Sequence, residues 1–190
     1  MKSAGWVLVA FAITWMPQAV VARGGAPAPS RGMDTTPRHA LDDLRKIMNC
    51  RRDSSVSCTP VPYTNFYDVS IEAKDSRIQT VEAMIQYNDG DNAVLVDRKS
   101  LPTSKRQAMQ LVHYFMPRWK GAMTWTGKAI DHSLKLCAIV TRHDGITILI
   151  YPWHPADIKG HFLKLIVTRS NSIEPFPYND YDCLVRTDNP

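Results

Sequence analysis

The chain has 190 residues, with 23 Lys+Arg against 18 Asp+Glu for a formal charge of +5; 44% of its residues are hydrophobic and 22% charged. That balance excludes collagen-like, coiled-coil and wholly disordered chains, and the length fits one domain with or without a tail. The positive excess allows a polyanionic partner without requiring one.

Lys2 is followed by an uncharged, mostly apolar run, Trp6 to Met16, and then by Ala19-Val-Val-Ala22. This is the layout of a secretory signal: a cationic start, an apolar stretch and a small-residue cleavage end. Pro17 and Gln18 interrupt the run, which is short for a membrane span of roughly 20 apolar residues. Residues 1–22 are therefore expected to be a signal peptide. The mature chain is expected to be secreted, extracellular or periplasmic if bacterial, with no membrane contact after cleavage. Residues 23–36 are rich in Gly, Pro and Ala and read as a flexible leader. Residues 37–190 read as a single domain.

The spacing predicts a helix over 37–49. Thr36 suits the N-cap and Pro37 the first helical position, while Ala40, Leu41, Leu44, Ile47 and Met48 form one apolar stripe. Cys50 and Cys58 then bracket a polar loop, Arg51 to Ser57. Tyr67, Val69, Ile71 and Ala73 alternate as in a strand, Asp75-Ser76 suits a turn, and Val81, Ala83, Ile85 and Tyr87 alternate again. Asn88 to Asn92 reads as a turn and Ala93 to Val96 as a short strand. A second helix is expected over 102–115, stopped by Pro117. Trp119 to Gly127 reads as a loop. Strands are expected over 134–141 and 146–153 around an Asp144-Gly145 hairpin turn, and again over 162–168. The order argues an α+β fold: an antiparallel β-sheet packed against one or two helices.

Four cysteines behind a signal peptide read as two disulfides. Three connectivities are open; Cys50–Cys58 and Cys137–Cys183 are favoured, the first closing the polar loop and the second tying the tail to a strand. No zinc spacing is present, and no metal or cofactor is expected.

Catalysis would need converging acid and base groups. The candidates are His132, His143 and His154, with Glu72 as a carboxylate among only three glutamates. His154, Asp157 and His161 have ligand types at helical spacing, but Pro155 and Gly160 favour a turn between strands. Arg98, Lys99, Lys105 and Arg106 fall close together and are the candidates for polyanion binding. Arg45, Lys46, Arg51 and Arg52 form a second basic group, and Arg118 and Lys120 flank Trp119.

The helix at 37–49, Val61-Pro-Tyr-Thr-Asn-Phe-Tyr67 and Leu136-Cys-Ala-Ile-Val-Thr-Arg-His-Asp-Gly145 resemble secreted fungal guanyl-specific ribonucleases. The resemblance is closer to the ribonuclease-like effectors of the same fold. It implies a helix packed on an antiparallel sheet, with a Tyr-x-His strand, a Glu and a late His cleaving RNA. Here the first place is Tyr63-Thr-Asn65, which lacks the histidine. The late histidine falls on Arg142, with His143 one step away, and Glu72 or Glu82 stands for the Glu. Those departures imply a binding descendant. Two functions follow: a non-catalytic binding protein, effector-, inhibitor- or immunity-like, acting on a macromolecular partner; or a ribonuclease-like hydrolase using His as general acid and base. A protein partner is expected first, with RNA or an acidic polymer as the other candidate.

Overall fold

In a computed structural model, residues 32–60, 66–88, 101–135, 137–153, 161–170 and 183–187 are described. Among them the chain forms α1 (Pro37–Met48), β1 (Cys50–Arg52), β2 (Ser57–Pro60), β3 (Phe66–Lys74), β4 (Arg77–Asn88), α2 (Leu101–Phe115), α3 (Ala122–Ser133), β5 (Cys137–His143), β6 (Ile146–Trp153), β7 (His161–Thr168) and β8 (Cys183–Arg186). The strands make one sheet in the order β1-β2-β3-β4-β7-β6-β5-β8. Every pairing is antiparallel except β5 with β8, which is parallel.

Strand alternation decides which face the helices cover. Val81, Ala83, Ile85 and Tyr87 of β4, Leu163, Leu165 and Val167 of β7, and Ile148 and Ile150 of β6 point to one side. There they join Leu41 and Leu44 of α1, Leu111 and Phe115 of α2, and Ile130 of α3 in the main core. On the other face, Ala138, Val140, Leu149, Tyr151 and Ile166 form a second, smaller apolar cluster. That explains why β6 and β7 read as nearly continuous apolar runs: both of their faces are buried.

The α+β class, the helices on one face and the two turns are as the residue pattern predicts. Asp75 and Ser76, and Asp144 and Gly145, all have positive φ, the geometry of a tight hairpin turn. Thr36 caps α1 by accepting from the His39 amide at 3.3 Å, and α2 ends at Phe115, two residues before Pro117. Both favoured disulfides form, Cys50–Cys58 and Cys137–Cys183.

Four expectations need correction. Residues 122–133, expected to lie in or just after a loop, form α3. Its sequence hides the helix: Gly121 offers no side-chain cap, and Thr124, Trp125, Thr126 and Gly127 are poor helix formers. Packing overrides that weakness. Ala122, Thr126, Ala129, Ile130 and Ser133 are buried at helical spacing. A Cβ on Gly127 would lie 3.4 Å from both Lys105 and Met109, so the glycine lets α2 come close. Second, part of the Arg51–Ser57 segment is strand, because the two cysteines close a hairpin. Third, the tail contributes β8, and its pairing is parallel. Fourth, the folded unit starts by Gly32, inside the expected leader. Met33 and Thr35 are buried, and Arg169 holds the turn down by donating to Asp34 at 2.6 Å and to the Ile78 carbonyl at 3.1 Å. The turn and strand expected over 88–96 lie, beyond Asn88, outside the described residues. No described helix is long and apolar enough to cross a membrane.

Candidate functional site

Among the described residues, the predicted catalytic groups His132, His143 and Glu72 lie apart from one another. His132 is exposed in the last turn of α3, and His143 is half-buried at the end of β5. His143 stacks on Trp119, ring centroids 5.2 Å apart, just before α3 begins. The two histidines therefore sit at opposite ends of a helix of 12 residues, about 18 Å long at 1.5 Å per residue. Glu72 is exposed on the helix-free face of β3, four strand steps from β5; at about 4.8 Å per step that is roughly 19 Å. His154 lies outside the described residues, as does Asp157, while His161 opens β7. His143 Nε2 is 3.6 Å from Asp144 Oδ2, an ion pair only when the imidazole is protonated.

The first basic cluster is only partly placed. Arg98 and Lys99 lie outside the described residues. Lys105 donates to both carboxylate oxygens of Asp131, at 2.6 and 2.7 Å, clipping α2 to α3. Arg106 is exposed on α2.

On the helix-free face, β3, β4 and β7 bring together Asp68, Glu82 and Lys164. Lys164 Nζ lies 2.7 Å from Glu82 Oε2 and 5.4 Å from the centre of the Trp153 ring. Burial, helped by the Glu82 charge and opposed by Lys164, holds the Asp68 carboxyl above the usual carboxylate range. Lys164 thus neutralises Glu82 and leaves Asp68 as the group whose charge the fold disfavours.

The second basic group gains a different surface. Asn49 takes the left-handed conformation, φ 50° and ψ 46°, and turns the chain straight from α1 into β1. Cys50–Cys58 then locks β1 to β2, with Cys50 facing Pro60 and Arg52 facing Cys58. The connecting loop is held from within. The Asp53 amide donates to the Ser57 carbonyl at 3.0 Å, the Val56 amide to Ser54 Oγ at 3.1 Å, and Thr59 Oγ1 to Asp53 Oδ2 at 2.6 Å. β3 grips the same loop through the Ile71 amide, 2.8 Å from the Val56 carbonyl.

Arg51 and Arg52 are exposed on this rigid hairpin; Arg52 Nε donates to the Ser54 carbonyl at 3.0 Å. Arg38 and Arg45 are exposed on α1 at i and i+7, along one flank of the apolar stripe beside Leu41. Arg51 lies 3.5 Å from Asp53, while no described carboxylate pairs with Arg38 or Arg45. Two clefts meet at Arg52. One, about 480 Å³, is lined by Arg45, Asn49, Arg51 and Asp42; the other, about 560 Å³, by Arg38, Pro37, Val56 and Ala73. The result is four arginines against Asp42 and Asp53, fixed by a helix, a disulfide and a hairpin. A residue in this group that the pattern of adjacent charges missed is Arg38. Its signal was helical: seven positions before Arg45, on the same flank of the apolar stripe.

Among the described residues no group of three His, Cys, Asp or Glu is placed to hold a metal. The arrangement on the corner is suited to binding anions by charge and bidentate hydrogen bonding, which guanidinium groups do well. Comparison with protein-family models, with curated proteins and with solved structures returned no match.

Proposed function

We propose that the chain is an exported, disulfide-bonded binding protein that docks an acidic macromolecule on the corner made by α1 and the β1–β2 hairpin, without chemistry of its own. The observation that carries this reading is the fixed set Arg38, Arg45, Arg51 and Arg52 around two clefts that share Arg52. A helix and a disulfide-locked hairpin already fix the backbone that carries these cations, so on binding only their side chains need ordering. Their field also steers an acidic partner to the right face. Two disulfides suit an oxidising compartment, in agreement with the signal-like N-terminal stretch.

The test is retention of the oxidised chain on immobilised heparin over a salt gradient. The wild type should bind and elute at a characteristic salt concentration, with log affinity falling linearly against log salt. The double variant Arg45→Glu, Arg52→Glu should elute markedly earlier. Equal elution of the two would overturn the reading, as would RNA cleavage by the purified mature chain that His143→Ala abolishes. Export is checked separately in the native host: the N-terminus should start after Ala22 and no free thiol should be found.

A further inference from the structure

The cleft of about 560 Å³ differs from its neighbour in its floor. It lies between the start of α1, the β1–β2 hairpin and the β3–β4 hairpin, with Pro37, Val56 and Ala73 as apolar lining and Arg38 and Arg52 as charged lining. We propose that it receives an apolar side chain from an acidic protein segment, so that the macromolecule on the basic corner is a protein. The inference rests on the basic-corner reading and narrows it.

Val56 is the key. It is 42% exposed, one of three large apolar side chains that stand out among the described residues, the others being Met123 and Val185. It is not on a loose tip: its amide donates to Ser54 Oγ and its carbonyl accepts from Ile71. A backbone-anchored, solvent-facing valine between two arginines offers a small apolar contact inside a cationic rim. The apolar side chain gains from burial, and arginine is the cation most often found at energetically dominant contacts. A nucleic-acid groove has a different requirement. Unpaired bases need flat side chains to stack on, and among the described residues none that lines this cleft is aromatic. An acidic segment carrying one leucine or phenylalanine would match the floor with its side chain and the rim with its carboxylates.

The experiment uses the oxidised full chain and three probes of matched charge: a Glu/Asp-rich peptide with one central Leu, the same peptide with Ser there, and a single-stranded oligonucleotide. The Leu peptide should bind about tenfold tighter than the Ser peptide, a difference of about 1.4 kcal/mol. Val56→Ser should remove most of that difference and leave the Ser peptide unaffected, whereas Arg52→Glu should weaken both. Ala73→Glu, which places a carboxylate in the cleft, should also abolish the preference for Leu. Melting curves of each variant verify that it is folded. If the two peptides bind equally, or the oligonucleotide binds tightest, the protein-partner inference fails and the basic corner stands. If no probe shows salt-dependent binding, the basic corner itself fails and takes this inference with it.

Discussion

The Tyr114 hydroxyl donates to Asp43 Oδ2 at 3.0 Å, and this buried bond ties α2 to the helix that carries Arg38 and Arg45. Both residues are under 9% exposed, and the nearest cation to Asp43 is Lys46, 3.7 Å away at the surface. Tyr114→Phe keeps the ring and its edge-on contact with Phe115 but leaves the carboxylate short of a donor. The expected cost is about 1–3 kcal/mol. It should appear as a lower denaturant midpoint with an unchanged slope. An unmoved midpoint would show that the bond does not hold α1 in place.

The two disulfides should differ in accessibility. Cys50 and Cys58 are buried at 1% and 0% exposure, whereas Cys137 and Cys183 are half-buried at the sheet edge. Under limiting dithiothreitol, alkylation followed by mass spectrometry should find Cys137 and Cys183 labelled first. The spans closed are 8 and 46 residues. In the chain-entropy account these correspond to about 2.5 and about 4 kcal/mol. Removing the outer pair by Cys137→Ala with Cys183→Ala should therefore lower Tm more than removing the inner pair. Simultaneous labelling of all four thiols would contradict the difference in burial.

Asp68 makes a pH prediction. Its folded pKa lies above its ordinary value, first because of burial and then because of the Glu82 charge. A raised carboxyl favours the fold most when protonated. That contribution is fully present below the unfolded pKa of about 3.9 and is lost as pH rises through the folded value. Asp68→Asn should accordingly melt higher than the wild type at pH 7, with the gap closing towards pH 3. Lys164→Met, which removes the compensating ammonium, should enlarge the loss at neutral pH. Thermal melts from pH 3 to pH 8 check both, and a pH-independent gap for Asp68→Asn would refute the assignment.

Lys105 and Arg52 should separate in binding. Lys105 is already held by Asp131, while Arg52 sits where the two clefts meet. Lys105→Gln should elute from heparin with the wild type and change stability by at most about 1 kcal/mol, as for an exposed ion pair. Arg52→Gln should elute at lower salt. The reverse order would move the anion-binding surface to α2.

The hairpins and α1 were legible because local chemistry and tertiary packing agree there. Thr36-Pro37 starts a helix whose apolar stripe faces the sheet, and Asp144-Gly145 supplies the positive φ that a tight turn needs. α3 was illegible because its buried face is built from Ala122, Thr126, Ala129 and Ser133, small or polar residues with little periodic signal, and its stability comes from α2 and the sheet. The parallel placement of β8 is set by Cys137 lying opposite Cys183, a register that a disulfide assignment alone does not dictate. The basic corner was half legible. Arg45, Lys46, Arg51 and Arg52 are neighbours in sequence, but Arg38 and Val56 join them only because the chain reverses at Asn49 and again at Ser54. The histidines show the opposite: similar residue types, close along the chain, end up on separate ends of α3.

Thr80 and Thr168 share a hydrogen bond of 3.0 Å across 88 residues of chain, and they lie on the seam where β4 meets β7. On one side of that seam β1 to β4 form a meander of neighbours in sequence; on the other, β5 to β7 form a second. Each can zip locally, but joining them requires closing a long loop, a slow step for any chain. The seam should thus be the last part of the sheet to form, and folding rates should respond to Val81 or Leu165 more than to the hairpin turns. The same architecture gives crowded, half-folded molecules an alternative: one copy's β4 can pair with another copy's β7, exchanging halves into a swapped dimer.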